Sequence, residues 1–516
     1  MRSILCIVMS FCMILSVFSL ASCSGKNEKN TESESKVETN EKETEEMDTT
    51  PDKEDMPYKA IQVNTTFTDN MVLQRNKKVK IFGYGGNSGE TVRVRFHGKT
   101  YKGYIEEDGW EVWLDPMEAD KEGNTLEILH RGKTITFQNV VVGEVWLCGG
   151  QSNMAITVQY ILNKDKNIKN EYSEYENWDS IRVYDRSYKS SQEPVIDSAV
   201  HDKWKTVKSF QNTLNSSASA VAFALNLAHM LGDEVPVGVV NCSVGGSPIE
   251  SWISSDGMEG LRSFFIEQNS VFYQGMLYNL LGYSFGGFFW YQGCANAQPH
   301  MALYYRDQFE VLMKELRSAT EDEKLPAVVM QLVQYEDWCS WSPIRQIQWE
   351  LMEIPNVYTV CGIDLGSNLT PLSEASKQDC IHASDKWDVG KRAAGVAASE
   401  VLKLVPPTDG NPYGISPSLD RAVWQDGAVR VSIANAKTVT QSEGKLDGFE
   451  VYINNTWVEA NAELDGTEIV LTAEGVAKKP LKIRYFQSNT IPNGVSFLYN
   501  EYDLPVAPAR YVAVVD

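Results

Sequence analysis

Along most of the chain the apolar positions follow one of two rhythms, and the changes of rhythm divide it. From 58 to about 140, short runs alternate apolar with polar residues, as in Val79-Lys80-Ile81-Phe82-Gly83-Tyr84, Thr91-Val92-Arg93-Val94-Arg95-Phe96 and Thr134-Ile135-Thr136-Phe137. Period two predicts strands with one buried face. Turn signals at His97-Gly98, Asp108-Gly109 and Glu122-Gly123-Asn124 separate them at the spacing of a β-sandwich. From 141 to about 405 the apolar runs become continuous: Val140-Val141-Val142 with Val145-Trp146-Leu147-Cys148, then Val235 to Val240, then Phe285 to Tyr291. Runs without a polar face predict strands covered on both sides. They alternate with helical stretches such as 220–231, 301–317 and 390–404, which predicts a three-layer α/β/α domain. Pro406-Pro407 marks the next boundary, beyond which Ala428–Ile433, Phe449–Ile453 and Leu481–Phe486 return to period two and predict a C-terminal β region over 406–516. No internal repeat is apparent.

The first 57 residues follow neither rhythm. A basic start and a mostly apolar run from Ile4 to Phe18, too short to span a bilayer comfortably, lead into Leu20-Ala21-Ser22-Cys23. This reads as an export signal over 1–23 that resembles a bacterial lipobox, with Cys23 as the acylated mature N-terminus and several acyl chains as the anchor. An ordinary secreted protein with an unpaired Cys23 is the alternative. Residues 24–57 carry nine Glu and three Asp against five Lys, with no aromatic residue. Such a segment buries too little to offset its chain entropy and predicts a disordered spacer.

That spacer holds about a third of the formal charge of −22, which comes from 69 acidic against 47 basic residues. So acidic a chain is a poor partner for nucleic acid or for anionic lipid surfaces, leaving the N-terminal anchor as the one expected membrane contact. The 43% hydrophobic content of 516 residues is enough to fill several domain cores. Of nine cysteines, Cys6, Cys12 and Cys23 fall in the export segment. Cys148, Cys242, Cys294, Cys339, Cys361 and Cys380 fall in the α/β part, where buried thiols and bridges are equally open readings. No Cys-x-x-Cys or His-rich spacing suggests a metal, and no cofactor is expected.

The candidate chemistry sits where the continuous strands end. The first runs into Gly149-Gly150-Gln151-Ser152-Asn153, the second into Gly245-Gly246, and the third into Gln292-Gly293-Cys294-Ala295-Asn296. Ligands of open α/β sheets bind at the carboxyl ends of strands. A serine lifted onto that rim by a glycine turn can attack an acyl carbon. Its own N–H, the Gly246 N–H and the Asn296 amide would then surround the oxyanion. A turn serine after a core strand is the commoner occurrence, and it is the three strand ends together that argue otherwise. Among six histidines, His97 and His130 lie in the strand-rich part, His201 in a polar loop and His229 on a helix. His300 follows the third strand end, and His382 follows Asp379 in Asp379-Cys380-Ile381-His382. An acid three residues before a histidine can orient its ring, so Ser152, Asp379 and His382 make the best candidate triad.

These segments resemble the SGNH (GDSL-like) hydrolases, and specifically the sialate O-acetylesterase family. The resemblance rests on Gly150-Gln151-Ser152-Asn153-Met154, on Asn241-x-Ser243-x-Gly245-Gly246, on Trp290-Tyr291-Gln292-Gly293-x-x-Asn296-Ala297 and on Ile381-His382, and it covers roughly 58–516. It implies an SGNH-type fold, Ser152 as nucleophile, His382 as general base, Asp379 as its partner, and Gly246 with Asn296 completing the oxyanion hole. The chain departs from the family at Ala383, usually proline, at Cys380, where many members have aspartate, and at Cys294-Ala295, often Glu-Ser. Asp364 and Asp385 are the alternative acids.

For the substrate, the family implies O-acetylated sialic acid, and related acetylxylan esterases share the motifs, so a neutral acetylated polysaccharide is the close alternative. Gln151, Gln292 and Trp290, with Trp338 and Trp341, would offer polar handles and flat surface to a sugar. Arg345 would offer a cation to a sugar carboxylate. Trp290 as a core residue and Arg345 as a structural ion pair are the competing readings. A non-catalytic glycan-binding lipoprotein is the alternative from another class, and the intact Ser152, Asn296 and His382 argue against it.

Overall fold

The computed structural model describes residues 57–516 apart from 108, 165–167, 174, 198–201, 336–340, 366–380, 384, 408–411, 475–477 and 488–494. The expected export segment with Cys23, all but the last residue of the acidic spacer, and His201, Trp338, Cys339, Asp379 and Cys380 lie outside the described residues.

The site is carried by a sheet whose strands run in the order Trp204–Thr206, Ile181–Asp185, Val237–Ser243, Lys133–Gly150, Gly287–Tyr291, Ala327–Met330 and Val357–Val360. The edge strand Trp204–Thr206 is antiparallel to its neighbour, and the other neighbours pair in parallel. The Lys133–Gly150 strand occupies the middle. After Ser243 the chain crosses from one side of this central strand to the other, so the loops after Gly150, Ser243 and Tyr291 open at one edge. That reversal creates the crevice in which open α/β sheets hold ligands.

The central strand also explains the change of rhythm in the sequence. Its first seven residues alternate between exposed and half-buried, and its last eleven are all buried. The first half pairs antiparallel with Asp120–His130 of the N-terminal β part, while the second half pairs with Val237–Ser243 and Gly287–Tyr291. One strand therefore runs through the boundary expected at 140/141. The N-terminal β part and the α/β part share a single hydrophobic core, from Ile61 and Val92 through Trp146 to Ala398. Three other N-terminal strands, Ile61–Val63, Val79–Gly85 and Trp110–Leu114, form a separate antiparallel sheet.

The helix expected over 220–231 spans Ala218–Met230 and is buried over nearly its whole length. Phe223 packs edge-on against Trp146 and is stacked on Phe289, while Gly390 of the Lys386–Val396 helix faces the backbone at Ala222 and Phe223. A Cβ on Gly390 would come within 2.4 Å of the Phe223 nitrogen, so only glycine permits this approach. The stretch expected as a helix over 301–317 is two helices, Pro299–Ala302 and Tyr305–Ala319. Residues 418–515 contribute an eight-stranded sheet with its own core, into which Cys361 and Ile363 also pack. Cys148, Cys242 and Cys361 are buried free thiols. Among the described residues no helix is long and apolar enough to cross a membrane.

Candidate active site

Gly150 ends the central strand with φ 140°, and a Cβ there would lie 2.2 Å from the Tyr291 carbonyl oxygen. Glycine is required by both the dihedral and the contact. The turn it makes starts a short helix, Ser152–Ala155, whose first residue is half-buried. Across it, His382 Nε2 lies 2.9 Å from Ser152 Oγ, joining residues 230 apart in sequence. The exposed Gly245-Gly246 loop passes beside them: a Cβ on Gly245 would sit 3.9 Å from Ser152 Cβ, and Gly246 has φ 76°.

Backbone and amide bonds lace the three strand ends together. Gln151 N donates to Tyr291 O at 3.2 Å, and Val244 N donates to Gly150 O at 3.1 Å. Gln151 Oε1 accepts from Gly293 N at 3.0 Å and from Ala295 N at 3.3 Å. Gln292 Nε2 donates to Ser247 O and to Asn296 Oδ1, and Gln348 Nε2 donates to Gln292 O. Asn296 is fully buried; its Oδ1 also accepts from Ile249 N, and its Nδ2 donates to Glu250 Oε2 at 2.8 Å. An amide has two N–H donors, so this set leaves Asn296 one for a further acceptor.

Four residues expected to touch a sugar are all buried, and two of them tie the strand ends together. Gln151 and Gln292 make the bonds above through Gln151 Oε1 and Gln292 Nε2. Trp290 is 1% exposed and donates Nε1 to Tyr305 Oη. Arg345, also 1% exposed, sits in the Trp341–Glu350 helix with Nη2 3.5 Å from Phe486 O. Trp341 is equally buried and donates to Val333 O. Flat rings and long cationic stems pack well in cores, which is where these residues have gone. His300 is exposed, its ring edge-on to Phe264.

Of the alternative acids, Asp364 receives both Arg392 Nη1 and Nη2 at 2.7 Å and the Tyr499 hydroxyl at 3.1 Å. Asp385 caps the Lys386–Val396 helix by accepting from Asp388 N, and burial pushes its carboxyl up to about 7. Asp379 lies outside the described residues.

Sequence reasoning gave no role to two buried ionisable groups beside the site. Glu250 is fully buried, and its Oε1 has no hydrogen-bond partner among the described residues. Lys386 is fully buried, donates Nζ to Asn153 Oδ1, and lies 5.0 Å from the centre of the Tyr291 ring; burial pushes its ammonium down to about 7. For Glu250 the available signal was a charge between Ile249 and Trp252; for Lys386, in a segment rich in charges four residues after His382, the sequence offered none. Among the described residues no cluster of three or more His, Cys, Asp or Glu gathers to hold a metal.

A hydroxyl facing an imidazole past a strand's carboxyl end is equipment for acyl transfer, and with the similarities that follow the class of this protein is carboxylic ester hydrolase. Residues 142–386 match the family model described as carbohydrate esterase, sialic acid-specific acetylesterase. Human sialate O-acetylesterase is 26% identical over 370 residues, covering 63% of this chain and 68% of the human one. The rat enzyme is 28% identical over 298 residues, covering 46% and 53%. A carbohydrate acetylesterase from Xanthomonas citri shares the fold with a TM-score of 0.73 at 24% identity, over 87% of this chain and 99% of its own. Over residues 142–386 the chain is thus similar to the sialic acid-specific acetylesterases among the carbohydrate esterases.

Proposed function

We propose that the protein removes O-acetyl groups from sugars through an acetyl-serine intermediate. The observation that carries this reading is the 2.9 Å approach of His382 Nε2 to Ser152 Oγ. Ser152 Oγ attacks the acetyl carbon as its proton passes to His382 Nε2. The oxyanion that forms is met by the Ser152 and Gly246 N–H groups and the remaining N–H of Asn296. Collapse breaks the bond to the sugar oxygen, which leaves with the proton from His382. Water then gives a proton to His382 and attacks the acetyl carbon, and acetate departs as the proton returns to Ser152. Asp379 is the acid assigned to His382. The SGNH-type three-layer arrangement over 141–405, flanked by β regions over 58–140 and 406–516, is part of the same reading.

The family supports O-acetylated sialic acid as the first substrate to test. One observation favours a second reading: with Arg345 1% exposed, the cation assigned to a sugar carboxylate is withdrawn, which suits a neutral acetylated polysaccharide. Acetate release from 9-O-acetylated sialic acid and from acetylated xylan, measured in parallel, separates the two. Ser152→Ala should lower turnover ~10,000-fold or more on whichever is cleaved. A Ser152→Ala variant with undiminished turnover overturns the mechanism. Acylation at Cys23 completes the proposal for an exported lipoprotein: labelled fatty acid should enter the wild-type chain, and its absence from Cys23→Ala should release the protein from membranes.

A further inference from the structure

We propose that Lys386 is a positioning residue: through Asn153 it fixes the relation between the Ser152 turn and the His382 segment. This rests on the reading of Ser152 and His382 as nucleophile and base. Asn153 follows Ser152 directly, is 1% exposed, and faces both sides of the reaction centre. Its Nδ2 donates to Ile381 O at 3.1 Å, the carbonyl of the peptide bond that ends in His382 N, and reaches Cys294 Sγ at 3.7 Å. Its Oδ1 accepts from Lys386 Nζ. Its own carbonyl accepts from Ser219 Oγ at 3.2 Å on the buried helix behind.

An amide's two ends differ little in shape, so packing alone orients it poorly. Its neighbours' hydrogen-bonding character orients it well. An ammonium offers only donors and a peptide carbonyl only an acceptor. With Lys386 on one side and the Ile381 carbonyl on the other, one orientation of Asn153 satisfies both and the flipped one satisfies neither. The lysine is held in turn by the Tyr291 ring, at the end of the strand that leads to Asn296. One side chain therefore touches the ends of the segments that carry Ser152, His382 and Asn296. Lys386 reaches none of the reacting atoms and acts through Asn153 alone.

The test uses the full chain and p-nitrophenyl acetate, with turnover normalised to the serines titrated by a phosphonate. Lys386→Met keeps the length and removes the donor. It should lower kcat about 10- to 100-fold with KM unchanged, since small displacements of reacting groups are costly in rate, and Lys386→Arg should recover part of the loss. Asn153→Asp keeps a partner for Lys386 and removes the donor to Ile381 O, so it should lower kcat in the same way. Wild-type kcat in Lys386→Met overturns the proposal. If Lys386→Met does not fold, Asn153→Asp decides: a loss of kcat at unchanged KM supports it, and wild-type kcat overturns it. Failure of the underlying reading shows separately, as full turnover in Ser152→Ala.

Discussion

Two buried amides, Asn153 and Asn296, sit in the loops at the strand ends, one held by a basic and the other by an acidic side chain. Lys386 donates to Asn153, and Glu250 accepts from Asn296. If Asn296 supplies an oxyanion donor, Asn296→Ala should lower kcat about 100- to 1,000-fold in a folded protein. Glu250→Gln can still accept from Asn296 Nδ2 and should keep most turnover, whereas Glu250→Leu should lose it; equal activity in the two would remove Glu250 from the account. The buried charges also set a pH signature. Lys386 loses its proton near 7 when folded, against 10.5 ordinarily, so the unfolded chain holds more protons across that window. Its contribution to stability therefore rises with pH from about 7 toward 10.5 and falls again on acidification. Asp385, raised to about 7 from 3.8, has the opposite sign, and its contribution falls as pH rises from about 4 to 7. Thermal midpoints of Lys386→Met and Asp385→Asn, compared with wild type across pH 4–10, should show the two slopes in separate windows.

At the scale of elements, the strands and their ends were legible because burial writes itself into the residue pattern. The eleven buried residues that close the central strand read as a continuous apolar run, and Gly150, Gly245 and Gly293 follow their strands where turns are needed. The meeting of Ser152 with His382 was legible through motif order. What stayed hidden depends on contacts between distant segments. Arg345 and Asp364 carry charges that look available in one dimension, yet one is sealed against Phe486 and the other is taken by Arg392 and Tyr499. The boundary expected at 140/141 is crossed because a change from half-buried to buried does not require a strand to end. The helix pair behind the sheet yields a sharp expectation. Gly390→Val would drive a side chain into the Phe223 backbone, and chemical denaturation should show a loss of about 1–3 kcal/mol or more.

For the whole molecule, the C-terminal β region is tied to the α/β part through Arg392, Asp364 and Tyr499, and through Cys361 and Ile363, which pack into its core. Arg392 is 5% exposed, so Asp364→Ala leaves a buried cation without its bidentate partner. Thermal or urea unfolding should register a loss of about 3–5 kcal/mol. Ending the chain after residue 405 should expose that apolar face and give aggregated protein; a soluble, active fragment would show the tie to be dispensable.

The sheet order has a consequence in time. Ser152 follows the strand laid down first in the middle of the parallel set, and the His382 imidazole beside it arrives 230 residues later. At ribosomal rates of about 5–20 residues per second, that interval is roughly ten to fifty seconds. Throughout it the nascent polypeptide carries Ser152 without His382, so under the proposed mechanism it passes through its own synthesis chemically silent.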